Sequence, residues 1–120
     1  MSFTELLDRV LTETPGAVSV TLMGFDGIAI ETRDAADQPA VSPQNTAIEL
    51  GAVASQLKGV AEGLGAGEVQ ELTLQTGALT TLLRPVTAEY FLALSLRPGG
   101  NTGKGRYLLR VTAPKLVSEL

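Results

Sequence analysis

The chain of 120 residues contains no cysteine, no histidine and no tryptophan. Without cysteine there is no disulfide and no thiol nucleophile; without histidine the commonest general base and nearly all zinc chemistry go too. A Ser-His-Asp relay is excluded, which leaves Ser19, Ser55 and Ser95 with no imidazole to activate them. Any metal would have to be held by oxygen alone, yet the 13 acidic residues nowhere bunch in the manner of a calcium loop. Aromatic residues are scarce, two Tyr and three Phe, so a rigid small-ligand pocket is poorly supplied. Charge is thin as well: 18% of residues are charged, against about 25% in ordinary soluble domains. A surface short of charge favours burial of some apolar area against a partner. The net charge is −4 and the basic residues read as scattered rather than striped. Neither nucleic acid nor insertion into a membrane is therefore expected. No run reaches the roughly 18 apolar residues that cross a bilayer, and "MSFTELLDRVLTE" lacks the basic start of a secretion signal. The expectation is one cytoplasmic domain over residues 1–120, with no cofactor, able to bury roughly two-thirds of its unfolded surface.

What is present is punctuated clearly. Ser2 and Glu5 stand at capping-box spacing, and Leu6, Leu7, Val10 and Leu11 continue a helical stripe to about Glu13, where Pro15-Gly16 ends it. "AVSVTLM" alternates with period two, Asp26-Gly27 signals a turn, and "IAIET" returns, which makes a hairpin. Residues 33–42 are polar and read as a surface loop. Ser42-Pro43 is a cap followed by a first-turn proline, opening a second helix to about Leu64. Its sheet-facing side is expected to hold Ala47, Leu50, Ala54, Leu57, Ala61 and Leu64. Three further runs, "EVQELTLQT", "LTTLLRPV" and "EYFLALSL", are separated by gaps short enough for consecutive antiparallel hairpins. A last helix begins near Thr102, and Pro114 is expected to kink it or start it afresh.

"RPGGNTGKGRYLL", residues 97–109, invites a reading as a phosphate-binding loop. The comparison fails on chemistry: Pro98 stands where the first glycine is required, and Gly105 where a hydroxyl must hold Mg²⁺. The stretch reads better as a turn in which Asn101 or Thr102 caps the final helix. Asp26 is likewise better read as a turn former than as a catalytic carboxylate. No active site is expected.

The second helix has an odd composition. Gly51, Gly59 and Gly63 lie within it although each interior glycine costs about 1 kcal/mol relative to alanine. At 100° per residue Ala52, Gly59 and Gly63 share a narrow arc away from the sheet, flanked by Ile48 and Gln56. Such an arc lets another backbone approach; alternatively the glycines are merely tolerated in a helix held by its sheet contact. The strand "EVQELTLQT" follows directly and holds no Pro or Lys to blunt an edge. An open edge through Val69, Glu71, Thr73 and Gln75 beside a smooth helix suits a two-fold homodimer.

This organisation resembles the Roadblock family of dynein light-chain relatives, which includes bacterial MglB-like proteins. The resemblance rests on "TPGAVSVTLMGFDGIAIET" for the hairpin and "SPQNTAIELGAVASQLKGVAEGLGAGEVQELTLQT" for the second helix and third strand. "YFLALSLRPGGNTGKGRYLLRV" supplies the last strand, the turn and the closing helix. It implies an α/β domain of α+β type, order helix-strand-strand-helix-strand-strand-strand-helix. The sheet would be five-stranded and antiparallel, with the second helix on one face and the first and third on the other. It also implies a homodimer joined through the third strands, without enzymatic activity of its own, that binds a small Ras-like GTPase as regulator or scaffold. Some bacterial members set cell polarity or gliding motility in this way. Helix phase then nominates Ile48, Glu49, Ala52, Ser55, Gln56, Gly59, Glu62 and Gly63 as the partner or dimer surface. The alternatives are a structural adaptor in a complex without a GTPase and a small-ligand sensor module. Pro114 departs from the family pattern.

Overall fold

Each helix begins where a side chain satisfies its first free amides. Ser2 Oγ accepts from Glu5 N at 3.2 Å while Glu5 reaches back to the Ser2 amide, completing the capping box. Ser42 Oγ accepts from Asn45 N at 3.1 Å, and Asn101 Oδ1 accepts from Lys104 N at 3.0 Å. Ser42→Ala is expected to lower stability by about 1 kcal/mol, the usual worth of such a cap, readable as a shift in a urea melt.

The computed structural model describes residues 1–120. In chain order its elements are α1 (Phe3–Glu13), β1 (Ala17–Gly24), β2 (Ala29–Asp34), α2 (Pro43–Leu64), β3 (Leu72–Gln75), β4 (Thr80–Pro85), β5 (Tyr90–Leu96) and α3 (Thr102–Val117). The five strands form one antiparallel sheet in the order β2-β1-β5-β4-β3, so β3 is an edge as expected.

The period-two pattern of β1 does not mark one wet face, because helices cover both. Val20 and Leu22 pack with Leu82, Leu92 and Leu94 under α1 and α3. Met23 lies on the opposite face with Leu83, Phe91 and Ala93, beneath Ala47, Leu50 and Ala54 of α2. The hydroxyls on the α2 side of the sheet are paired, Thr21 with Thr32 at 2.8 Å and Thr81 with Ser95 at 2.9 Å. No buried side-chain polar atom lacks a partner, as a well-formed interior requires. At the outer strand, Arg33 Nε donates to Asp8 Oδ1 at 2.6 Å and joins β2 to α1. That bond holds the Arg33 pKa above its ordinary value; an exposed pair of this kind contributes little to stability.

The glycine-rich stretch after β5 serves packing. Arg97 N donates to Gly16 O at 2.8 Å and Asn101 N to Pro15 O at 2.9 Å, which straps the turn against the end of α1. Gly16 has φ +87°, and a Cβ on it would lie 2.7 Å from Gly100 Cα. Both the left-handed backbone and the close approach call for glycine there.

Two expectations need correction. First, β3 is not the long strand of residues 68–76 but only Leu72–Gln75. The cause is Pro85. Val86 N donates toward β5, to Tyr90 O at 2.8 Å, and amides alternate along a strand, so those of Leu83 and residue 85 face β3. Leu83 pairs with Leu72, but Pro85 has no N–H to continue the ladder. Val69 and Glu71 therefore precede the edge strand, and only Thr73 and Gln75 lie in it. Second, α3 runs unbroken through Pro114. The proline sits on the exposed side of the helix, one turn beyond exposed Arg110, where the carbonyl that loses its donor is on the solvent side. The buried stripe Leu109, Ala113 and Leu116 carries the helix past it.

Candidate functional site

Helix α2 is 22 residues long, about 33 Å at 1.5 Å per residue. Its N-terminal half is anchored by Ala47, Leu50, Gly51 and Ala54, all buried. Its C-terminal half overhangs: Leu57 and Ala61 are half-buried, and Leu64, expected on the sheet-facing side, is 76% exposed. The reason is again the short third strand. With residues 66–71 outside the sheet, no strand lies beneath the last turn of α2.

The three glycines of α2 separate into two kinds. At Gly51 a Cβ would meet two ring atoms of Phe91 at 2.8 Å, so this glycine exists for the core. At Gly59 and Gly63 nothing lies within 4 Å of the Cβ position. The chain's own packing thus gives no reason for these two. Every residue nominated on this helix, namely Ile48, Glu49, Ala52, Ser55, Gln56, Gly59, Glu62 and Gly63, is exposed. They form one outward surface, with Ile48 at its β1–β2 end, 3.7 Å from the Cβ position of Gly27.

Sequence reasoning passed over a second set beside them. Val53, Val60 and Leu64 recur at i, i+7 and i+11, hence on one flank, and are 44%, 55% and 76% exposed. Leu74 on β3 is also exposed. It lies two residues beyond Leu72, which packs into the α2 core, and so faces the α2 side of the sheet. The signal for the flank is present in the sequence, in the seven-residue spacing of Val53 and Val60, beside the more conspicuous glycines.

Below the overhang an open notch of about 1160 Å³ separates residues 65–70 from the end of β4. Lys58, Glu62, Glu68 and Arg84 line it, two charges of each sign. Lys58 is occupied: its Nζ lies 3.4 Å above the Phe25 ring and donates to Ala88 O at 3.2 Å. Phe25 in turn leans on Phe91, with ring centroids 4.9 Å apart. On the other face of the sheet, Arg106 pairs with Glu71 at 2.7 Å and reaches Thr73 Oγ1 at 3.3 Å, tying the edge to α3. No group of three or more acidic residues converges as a metal would need, and no helix is long and apolar enough to cross a membrane.

A five-stranded antiparallel sheet in this strand order, with one long helix on one face and two on the other, defines the Roadblock type of domain. The chain belongs to the Roadblock family. It is 39% identical to MglC from Myxococcus xanthus over 100% of both chains, with a TM-score of 0.71. MglB from Thermus thermophilus, a gliding protein, matches 94% of this chain and 84% of its own at 23% identity and a TM-score of 0.81. A Roadblock/LC7 domain from Streptomyces avermitilis matches 99% of this chain and 98% of its own at 14% identity and a TM-score of 0.73. At those lower identities the last two bear on the fold alone. No family model and no curated protein matches the chain.

Proposed function

We propose that this chain is a non-catalytic, homodimeric regulator or scaffold that binds a small Ras-like GTPase through the outer face of α2. The role would lie in polarity or motility control of a bacterial cell. The observation that carries this reading is the exposed side of α2, where Gly59 and Gly63 are open to space for the GTPase and Val60 and Leu64 stand in solvent as the flank that a second copy would cover. A small-residue arc beside an apolar flank is suited to docking another protein and has no use in the isolated chain. The 39% identity to MglC from Myxococcus xanthus over the whole of both chains supports the bacterial setting. A regulator acts only through unequal affinity for the two nucleotide states of its partner, and the test follows from that.

The protein is used as bait in lysate of its source cells, with GDP in one arm and a non-hydrolysable GTP analogue in the other. A Ras-like GTPase retained in one arm only is the expected result, and equal retention in both means a tether. Absence from both arms sinks the reading and leaves an adaptor without a GTPase. Gly59→Trp is expected to reduce capture at least about tenfold, as loss of a central contact does, while the melting temperature stays unchanged or rises slightly.

A further inference from the structure

Between Thr102 and Val117 the chain places Lys104, Arg106, Arg110 and Lys115 and no acidic residue. Four of the 9 basic residues of an acidic chain therefore lie on one helix, which corrects the expectation of scattered positive charge. Helix α3 packs on the face of the sheet opposite α2, so this surface is separate from the one described above. Although the chain holds 13 acids, only Arg106 of the four is neutralised, by Glu71. Lys104, Arg110 and Lys115 form no ion pair. Lys104 and Lys115 border a groove of about 270 Å³ between α1 and α3, where Arg9 is already engaged by Glu13. Arg110 lies 5.6 Å from the centroid of the Tyr107 ring, itself 49% exposed, and Val117 continues the apolar part of the ridge. A ridge kept only for solubility would mix both signs of charge. An exposed Tyr with an unpaired Arg beside it has the composition of a protein-binding hot spot, and Lys104 and Lys115 add positive charge at its border.

We propose that the outer face of α3 is a second docking surface, which takes an acidic segment of a partner protein. Charge decides between this occupant and a polyanion. A phosphate array, whether bilayer or nucleic acid, extends past the helix. It would meet the rest of a chain whose net charge is −4. A short peptide is governed by the charges within a screening length of roughly 8 Å; around α3 the acids Glu13 and Glu71 are already held by Arg9 and Arg106, which leaves Lys104, Arg110 and Lys115 in excess. Occupied on both faces, the molecule would bridge two partners.

The test uses the full chain and a fluorescein-labelled peptide rich in Glu and Asp around a central Leu-Phe pair, followed by anisotropy at low and physiological salt. The same peptide with Gln and Asn in place of the acids is the control; phosphatidylserine vesicles and duplex DNA are separate arms. The acidic peptide is expected to bind, more weakly as salt rises, and its neutral counterpart not to bind. Arg110→Glu should weaken binding at least about tenfold, and Tyr107→Ala should weaken it without changing the salt dependence. Arg110→Gln guards against a misfolded charge reversal. Equal binding of both peptides, unchanged binding by folded variants, or preference for vesicles or DNA overturns the proposal.

Discussion

Gly51→Leu is expected to destabilise the protein by about 3 kcal/mol or more, at the upper end of overpacking costs. The side chain would enter space held by the Phe91 ring, two of whose atoms lie 2.8 Å from the position of even the first added carbon. Phe91 has no room to yield, being fully buried among Met23, Leu50, Leu83 and Ala93 and braced by Phe25. Such a loss is a large share of the roughly 5–15 kcal/mol that separates folded from unfolded domains. Gly51→Ala is a milder probe, since it gains about 1 kcal/mol of helix propensity against the clash. Combined with Phe91→Leu, it should cost less than the two single changes together, a coupling of about 0.5–3 kcal/mol. Guanidinium melts of the four proteins in the cycle measure this. Strict additivity would show that Gly51 and Phe91 do not press on each other.

Val60→Glu together with Leu64→Glu is expected to convert the proposed homodimer to monomers. Removing a Val or Leu from a buried contact forfeits about 1.5–3 kcal/mol each, so the pair should raise the dissociation constant more than about a hundredfold. Because both side chains already stand in solvent in the single chain, the monomer should remain folded, with an unaltered circular dichroism spectrum. Sedimentation equilibrium distinguishes the outcomes. A dimer that survives the double change uses another surface, and a wild-type protein that is monomeric at all concentrations removes the homodimer from the proposed function. Gly59→Trp complements this experiment, since it alters the outer arc and leaves the Val60 and Leu64 flank in place.

The fold was legible where the signal is local. Caps at Ser2, Ser42 and Asn101, the Asp26-Gly27 turn and the proline at the start of α2 each act within a few residues, so reading them requires no tertiary knowledge. What escaped depends on contacts made at a distance. Gly51 and Phe91 are far apart in sequence, and only the folded sheet shows that one glycine of α2 serves the core while two do not. Leu64 matched the sheet-facing stripe by phase, but phase cannot tell that the sheet ends before the helix does. Pro114 looked like a breaker because propensity ignores which side of the helix the lost hydrogen bond faces. The end of β3 is the opposite case. Pro85 was visible in "LLRP", yet its effect falls on the neighbouring strand, through an amide it lacks. As for the site, periodicity alone placed the outward arc of α2; the apolar flank and the basic third helix were equally readable but lie outside that arc.

That missing amide also limits what the edge can offer to another molecule. With β3 held to four residues, two chains meeting there could share only a handful of main-chain hydrogen bonds. Main-chain bonds are the same for every sequence, so a short ladder carries little power to distinguish one mate from another. Discrimination among related chains would then fall to the side chains of the helix above, which can diverge without disturbing the sheet. A gene duplicate could in this way acquire new company by changing a few exposed positions on α2 while its scaffold stays the same.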